Sequence, residues 1–240
     1  MRLLLAALLL AAATVSAPLG GSAGPPVVTL TLVRHAQSEG NAADRMDTSV
    51  PGPALTELGR RQAETAAREL AAERFDGVYA SPMVRTQQTA APLADALGEP
   101  VVVLPGLREI EAGVYEGLPE SVASAGYFAA PLRWLAGDLD ARIPGSVDGH
   151  EFDARFDEAV RQICADGGLR PVAFSHGAAI TLWVLLNVDN PDPGLLYALG
   201  LRNTGRIVVT GHPDRGWTLV EWDGVPVGAR WDGRAQPAPR

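Results

Sequence analysis

The chain of 240 residues carries 20 basic side chains, every one an arginine, against 28 acidic ones, for a formal charge of -8, and 47% of it is apolar. Without lysine there is no amine to serve as a base or Schiff-base former, because each guanidinium stays charged. The acidic balance, with arginines scattered rather than gathered into a stripe, argues against nucleic acid as a partner.

Met1-Arg2, an almost wholly apolar run from Leu3 to Val15, the small-x-small site Val15-Ser16-Ala17 and a Gly- and Pro-rich stretch to Pro26 have the layout of a secretory signal peptide. The apolar run is shorter than the roughly 20 residues that span a bilayer core, which favours cleavage, after Ala17 or Ala23, over a membrane anchor. Residues 1–23 are expected to be signal and linker. The mature protein is expected to be secreted or extracytoplasmic, with no stable membrane association. Cys164 stands alone, forms no internal disulfide, and reads as a small buried residue on a helix.

Val27 to Val33 is a β-branched, apolar run that reads as a buried parallel strand. Thr56 is a natural N-cap for an amphipathic helix from Glu57 to Glu73. A short strand from Phe75 to Ala80, a helix from Met83 to Leu97 ended by Gly98, and a strand from Val101 to Leu104 follow. Between Gly113 and Gly149 the pattern weakens into an irregular or helical insertion, whose Tyr127, Phe128 and Trp134 either line a pocket or pack. Glu151 to Ala165 is helical, Pro171 to Phe174 a strand, Ala178 to Asn187 a helix, and Ile207 to Thr210 with Trp217 to Trp222 a strand pair. The alternation predicts an α/β fold, a three-layer α/β/α sandwich on a mainly parallel sheet. One domain is expected over 27–224, with an insertion at about 113–149 and a flexible tail over 225–240 in which Trp231 is a candidate for docking.

Sites in such folds lie at the carboxyl ends of strands. Three predicted strand ends carry suitable residues: Arg34-His35, Ser81-Pro82 leading to Arg85, and Ser175-His176-Gly177. The segment Leu32-Val33-Arg34-His35-Ala36-Gln37-Ser38-Glu39-Gly40-Asn41 resembles the Arg-His-Gly signature of the histidine phosphatase superfamily, which includes the cofactor-dependent phosphoglycerate mutases. Further blocks match in the family's order: Leu55-Thr56-x-x-Gly59-x-x-Gln62-Ala63, Ser81-Pro82-x-x-Arg85-x-x-x-Thr89, Leu107-x-Glu109 with Tyr115-Glu116-Gly117, and Ser175-His176-Gly177. Ala36 departs from the family's usual glycine, so the backbone there must avoid positive φ or tolerate a small side chain.

The resemblance implies the phosphoglycerate mutase-like fold and a phosphomonoesterase that forms a covalent phosphohistidine on His35, with Glu109 as proton donor. It also implies that Arg34, Asn41, Arg85, His176 and Gly177 bind the phosphorylated small-molecule substrate, and that Arg34, Arg85 and His176 share in catalysis. Physical chemistry agrees: the attacking imidazole must be neutral, and charge spread over peripheral phosphoryl oxygens calls for fixed donors such as guanidinium forks. Glu111 and Glu116 stay open as alternative donors. Gln37 and Ser38 are candidates to touch phosphate or substrate, and Thr89 reads as a residue that caps or packs within its helix. His150 and His212 match no block and read as surface or loop residues. With no ligand-spaced cluster, neither metal nor cofactor is expected. The competing readings are a phosphoglycerate mutase-type phosphotransferase and a non-catalytic phospholigand-binding protein.

Overall fold

A computed structural model of the protein describes residues 24–191, 195 and 201–227. Its strands are β1 (Val28–Arg34), β2 (Gly77–Ala80), β3 (Val101–Val103), β4 (Pro171–Ser175), β5 (Arg206–His212), β6 (Gly216–Trp222) and β7 (Val225–Pro226), and they form one sheet in the order β3-β2-β4-β1-β5-β6-β7. Strands β3, β2, β4 and β1 run parallel, whereas β5, β6 and β7 are antiparallel. The sheet is therefore mixed, with the expected parallel core. The reason is local: only a tight turn separates β5 from β6, and a connection that short can join antiparallel neighbours only.

The principal helices are α1 (Glu39–Ala42), α2 (Glu57–Leu70), α3 (Val84–Leu97), α4 (Glu120–Tyr127), α5 (Ala129–Leu135), α6 (Gly149–Ala165) and α7 (Gly177–Asn187). Side chains alternate across a strand, and here the alternation sorts the layers. Val33, Val78, Ala80, Val172 and Phe174 pack with Ala67 and Leu70 of α2 and Ala90 and Leu93 of α3. Val28, Leu30, Leu32, Tyr79 and Ala173 face the opposite way, into a larger core with Phe156 of α6 and Trp183 of α7.

Thr56 caps α2 by accepting the Gly59 N–H, and Gly98 ends α3 at φ 72°. Helix α2 stops at Leu70, and a single 3-10 turn, Ala71–Glu73, completes the predicted length. Helix α6 starts earlier than expected, because Asp148 and Glu151 form a capping box that draws Gly149 and His150 into the first turn.

The region 113–149 contains a 3-10 turn, Gly113–Tyr115, then α4 and α5. Trp134 of α5 is buried and stacks on Phe152 at 5.7 Å, so it packs rather than lining a pocket. The stretch expected to be flexible from 225 onward begins instead with β7, which pairs with Glu221 and Trp222. The rest of that tail, Trp231 included, and the expected signal and linker at 1–23 lie outside the described residues. Among the described residues no helix is long and apolar enough to cross a membrane.

One contact joins this scaffold to the chemistry. Helix α2 lies so close to the loop after β1 that a Cβ on Gly59 would sit 2.0 Å from the Gln37 carbonyl oxygen. Gly59→Ala is expected to cost about 1–3 kcal/mol of stability and to displace the loop. Chemical denaturation checks this, and an unchanged midpoint would contradict the close approach.

Candidate active site

β1 and β4 are parallel neighbours with Arg34 opposite Ser175, and β2 flanks β4 with Ala80 opposite Phe174. Their carboxyl ends therefore deliver His35, Ser81 and His176 to one edge of the sheet. His35 and His176 are 3% and 0% exposed, and their rings lie 5.2 Å apart, edge to face. A cleft of about 130 Å³ opens over His35, lined also by Arg34, Asn41, Arg85, Glu109 and Gly177, among others.

The His35 Nδ1 lies 2.7 Å from the Ala36 carbonyl oxygen. A carbonyl only accepts, so Nδ1 carries the proton and the lone pair stays on Nε2. Arg85 donates its Nε–H to that Nε2 at 3.0 Å and is anchored by the Asp47 carbonyl at 2.9 Å. Burial holds the His35 pKa well below 6.5, and the positive fields of Arg85 and Arg34 act in the same direction. Burial likewise depresses His176, with Arg85 and the neighbouring imidazole adding to it.

His176 Nε2 sits 2.8 Å from the Ser81 hydroxyl, while its Nδ1 has no partner among the described residues. Arg34 Nε and Arg85 Nη1 are also buried and unpartnered there. Buried polar atoms without partners are rare in folded proteins. The Arg34 and Arg85 guanidiniums line the cleft beside one neutral imidazole, Arg85 turning its Nε–H to the ring while its Nη1 lies against Gly52. That arrangement suits a tetrahedral anion.

Glu109 stands at the amino end of α7, where its carboxylate accepts the N–H groups of Ala179 at 2.9 Å, Ala178 at 3.3 Å and its neighbour Ile110 at 2.9 Å. Burial raises its pKa above 4.5, opposed by those hydrogen bonds and by Arg85. The other two carboxylates are engaged elsewhere. Glu111 pairs with Arg108 and Arg155, and Glu116 accepts from the Thr48 and Ser49 backbones and the Thr48 hydroxyl. Burial pushes Glu116 up, but these hydrogen bonds outweigh it and leave the group below 4.5.

Ala36 is buried and is not among the residues with positive φ, so its methyl group is accommodated. The Thr89 hydroxyl accepts the Ala36 N–H at 3.0 Å and donates to the Arg85 carbonyl at 2.6 Å. Thr89 thus ties the histidine loop to the helix that carries Arg85, beyond the capping or packing role expected of it. Gln37 faces away from the cleft, accepting from the Thr56 hydroxyl, whereas Ser38 lines the cleft and caps α1. Of the insertion's aromatics, Tyr127 and Phe128 line the cleft. His150 is exposed near Asp140, and His212 lies near Asp214, both away from the cleft.

Sequence reasoning missed Asn203. Its side-chain amide donates to the His35 carbonyl at 3.0 Å and to Asn41 Oδ1 at 3.3 Å, clamping the loop from the far end of the chain. The polar turn Arg202-Asn203-Thr204 just ahead of β5 was the available signal, but it becomes legible only once β5 is known to lie beside β1.

The buried imidazoles make stability depend on pH. Both are depressed in the folded state, so below about 6.5 the unfolded chain binds more protons and stability falls with pH. The urea midpoint is expected to drop between about pH 7 and pH 5.5, and inorganic phosphate to oppose the loss by binding the folded state. A midpoint flat across that range would contradict the neutral assignment.

Comparison with known proteins agrees with the geometry. Residues 30–224 match the model of the histidine phosphatase superfamily (branch 1). A PE-PGRS family protein of Mycobacterium tuberculosis is 46% identical over 217 residues, which are 84% of this chain and 37% of that protein, so the chain spans little more than a third of that relative. A probable phosphoglycerate mutase of Yersinia pestis is 34% identical over 151 residues, 62% of this chain and 69% of its own. The solved structure of a mycobacterial glucosyl-3-phosphoglycerate phosphatase with vanadate superimposes with a TM-score of 0.68 at 27% identity, covering 82% of this chain and 98% of that one. With that family match over most of the sheet and the elements that border the cleft, the chain is a member of branch 1 of the histidine phosphatase superfamily.

Proposed function

We propose that the protein is a phosphomonoesterase that works through a phosphohistidine on His35. The observation that carries this reading is a buried imidazole whose Nε2 bears the lone pair, set in a cleft lined by Arg34, Arg85 and Asn41. On substrate binding the Arg85 Nε–H turns from the imidazole to a phosphoryl oxygen, freeing Nε2 to attack phosphorus in line. The N–P bond forms as the P–O ester bond breaks, and Glu109 gives its proton to the departing alkoxide. Water then attacks phosphorus, Glu109 takes its proton, the N–P bond breaks and inorganic phosphate leaves. Arg34, Arg85, Asn41 and His176 hold the peripheral oxygens through both steps, where charge builds up.

The cleft, about 130 Å³, equals roughly four waters' share of liquid volume and suits a phosphoryl head with a small part of its ester. The remainder of the substrate meets Arg45, Glu120 and Phe128 at the mouth. Among the described residues neither Arg45 nor Glu120 belongs to an ion pair, which favours a polar, charged alcohol component. The relative described as a glucosyl-3-phosphoglycerate phosphatase supports that class. The apolar run and small-x-small site in residues 1–17 support export, which fractionation of expressing cells would test.

The test is direct. Protein mixed with a radiolabelled phosphomonoester, without added metal, and quenched in alkali should carry label on His35 in a peptide that loses it in acid. With 3-phosphoglycerate as substrate, free phosphate is expected. Accumulation of the 2-isomer without phosphate release would favour the mutase reading to which the Yersinia relative points. Absence of both label and turnover would leave a phospholigand-binding protein.

A further inference from the structure

The segment that carries Glu109 has little regular structure: after the single turn Pro105–Leu107 it runs irregularly to Ala112. Backbone carbonyls still need donors, and here side chains from elsewhere in the chain supply them. Ser175 Oγ donates to the Leu107 carbonyl at 2.7 Å, the Tyr127 hydroxyl to Ile110 at 2.9 Å, and Ser146 Oγ to Glu111 at 2.6 Å. The other three carbonyls between 106 and 111 all go to one side chain. Arg155 Nη1 donates to Gly106 at 2.7 Å and Arg108 at 2.9 Å, and its Nη2 donates to Glu109 at 2.9 Å.

We propose that Arg155 is the positioning residue for Glu109, fixing the backbone from which the proton donor reaches the cleft. This inference rests on the reading of Glu109 as the proton donor. Only 13% of the Arg155 side chain is exposed, and its guanidinium lies 5.3 Å from the Phe152 ring centroid. Its contact with the Glu111 carboxylate is longer, at 3.5 Å, so its nearest partners are neutral carbonyls rather than a counter-charge. The spread fork of a guanidinium can serve several carbonyls at once, which a lysine ammonium at the same place cannot.

Helix α6 and the segment are matched at the backbone as well, since a Cβ on Gly106 would sit 2.2 Å from the Arg155 carbonyl oxygen. The Glu109 residue is thereby held at both ends. Its own carbonyl is gripped by Arg155 on α6, and its carboxylate meets the first N–H groups of α7.

The test separates proton donation from everything else by choice of leaving group. The nitrophenolate of p-nitrophenyl phosphate departs without being protonated, whereas the alkoxide of glycerol 2-phosphate needs the proton. For Arg155→Lys and Arg155→Met, kcat/KM is expected to fall ~10-fold or more on the alkyl ester and only a few-fold on the aryl ester. Glu109→Gln should show the same asymmetry, with an alkyl loss of ~100-fold or more.

Equal losses of Arg155 variants on the two esters, or an alkyl rate that does not change, would overturn the positioning role. If Arg155→Met fails to fold, Arg155→Lys decides, because it keeps the charge and most of the stem. Wild-type protein inert toward both esters would overturn the hydrolase reading, and this inference with it. A normal wild type with symmetric losses would overturn this inference alone.

Discussion

His35→Ala is expected to abolish turnover of p-nitrophenyl phosphate, with a loss of ~10⁴-fold or more, the scale seen when a covalent nucleophile is removed. No other group in the cleft can take its place. His176 is 0% exposed, with Nε2 engaged by Ser81, and the Glu109 carboxylate is bound by three backbone N–H groups. The variant keeps Arg34, Arg85 and His176, so it should still bind inorganic phosphate, and calorimetry would show that the anion site survives the loss of chemistry. A variant that retains even a tenth of the wild-type rate would rule out phosphohistidine at this position.

Arg85→Lys is expected to lower kcat by ~10²–10³-fold, as when a preorganised donor is removed from a developing oxyanion. The substitution keeps the charge, so the loss comes from geometry. One guanidinium holds the Asp47 carbonyl with Nη2, reaches His35 with Nε, and keeps Nη1 unpartnered. These three tasks point in different directions within one rigid plane, and a single ammonium cannot perform them together. Affinity for phosphate should weaken in parallel. A lysine variant within a few-fold of wild type would show that Arg85 contributes charge alone.

The candidate residues Arg34, His35, Arg85 and His176 were legible in the chain because each stands in a short local motif that follows a strand. Arg34-His35, Ser81 to Arg85 and Ser175-His176-Gly177 follow apolar runs whose strand character is local, and the caps at Thr56 and Gly98 are local as well. Glu109 was harder to separate from Glu111 and Glu116, since all three stand in a loop with no period. Their difference lies in their partners, the α7 amino end for Glu109 against arginines or the Thr48 loop for the others.

What the sequence by itself determined is the α/β class, the strands and helices that alternate along it, and the candidate residues Arg34, His35 and Arg85 that the fold brings to one cleft. These follow from apolar periodicity and residue chemistry, which act over a few neighbouring positions. Tertiary structure alone decided that β1 lies between β4 and β5, that Tyr127 and Phe128 reach the cleft while Trp134 packs, and that Thr89, Asn203 and Arg155 brace the loops that carry His35 and Glu109. Those bracing contacts join a side chain to backbone 53, 168 and 46 residues away. A hydrogen bond to a carbonyl or an N–H places no demand on residue type at its backbone end, so such a contact leaves no mark in the sequence around its partner.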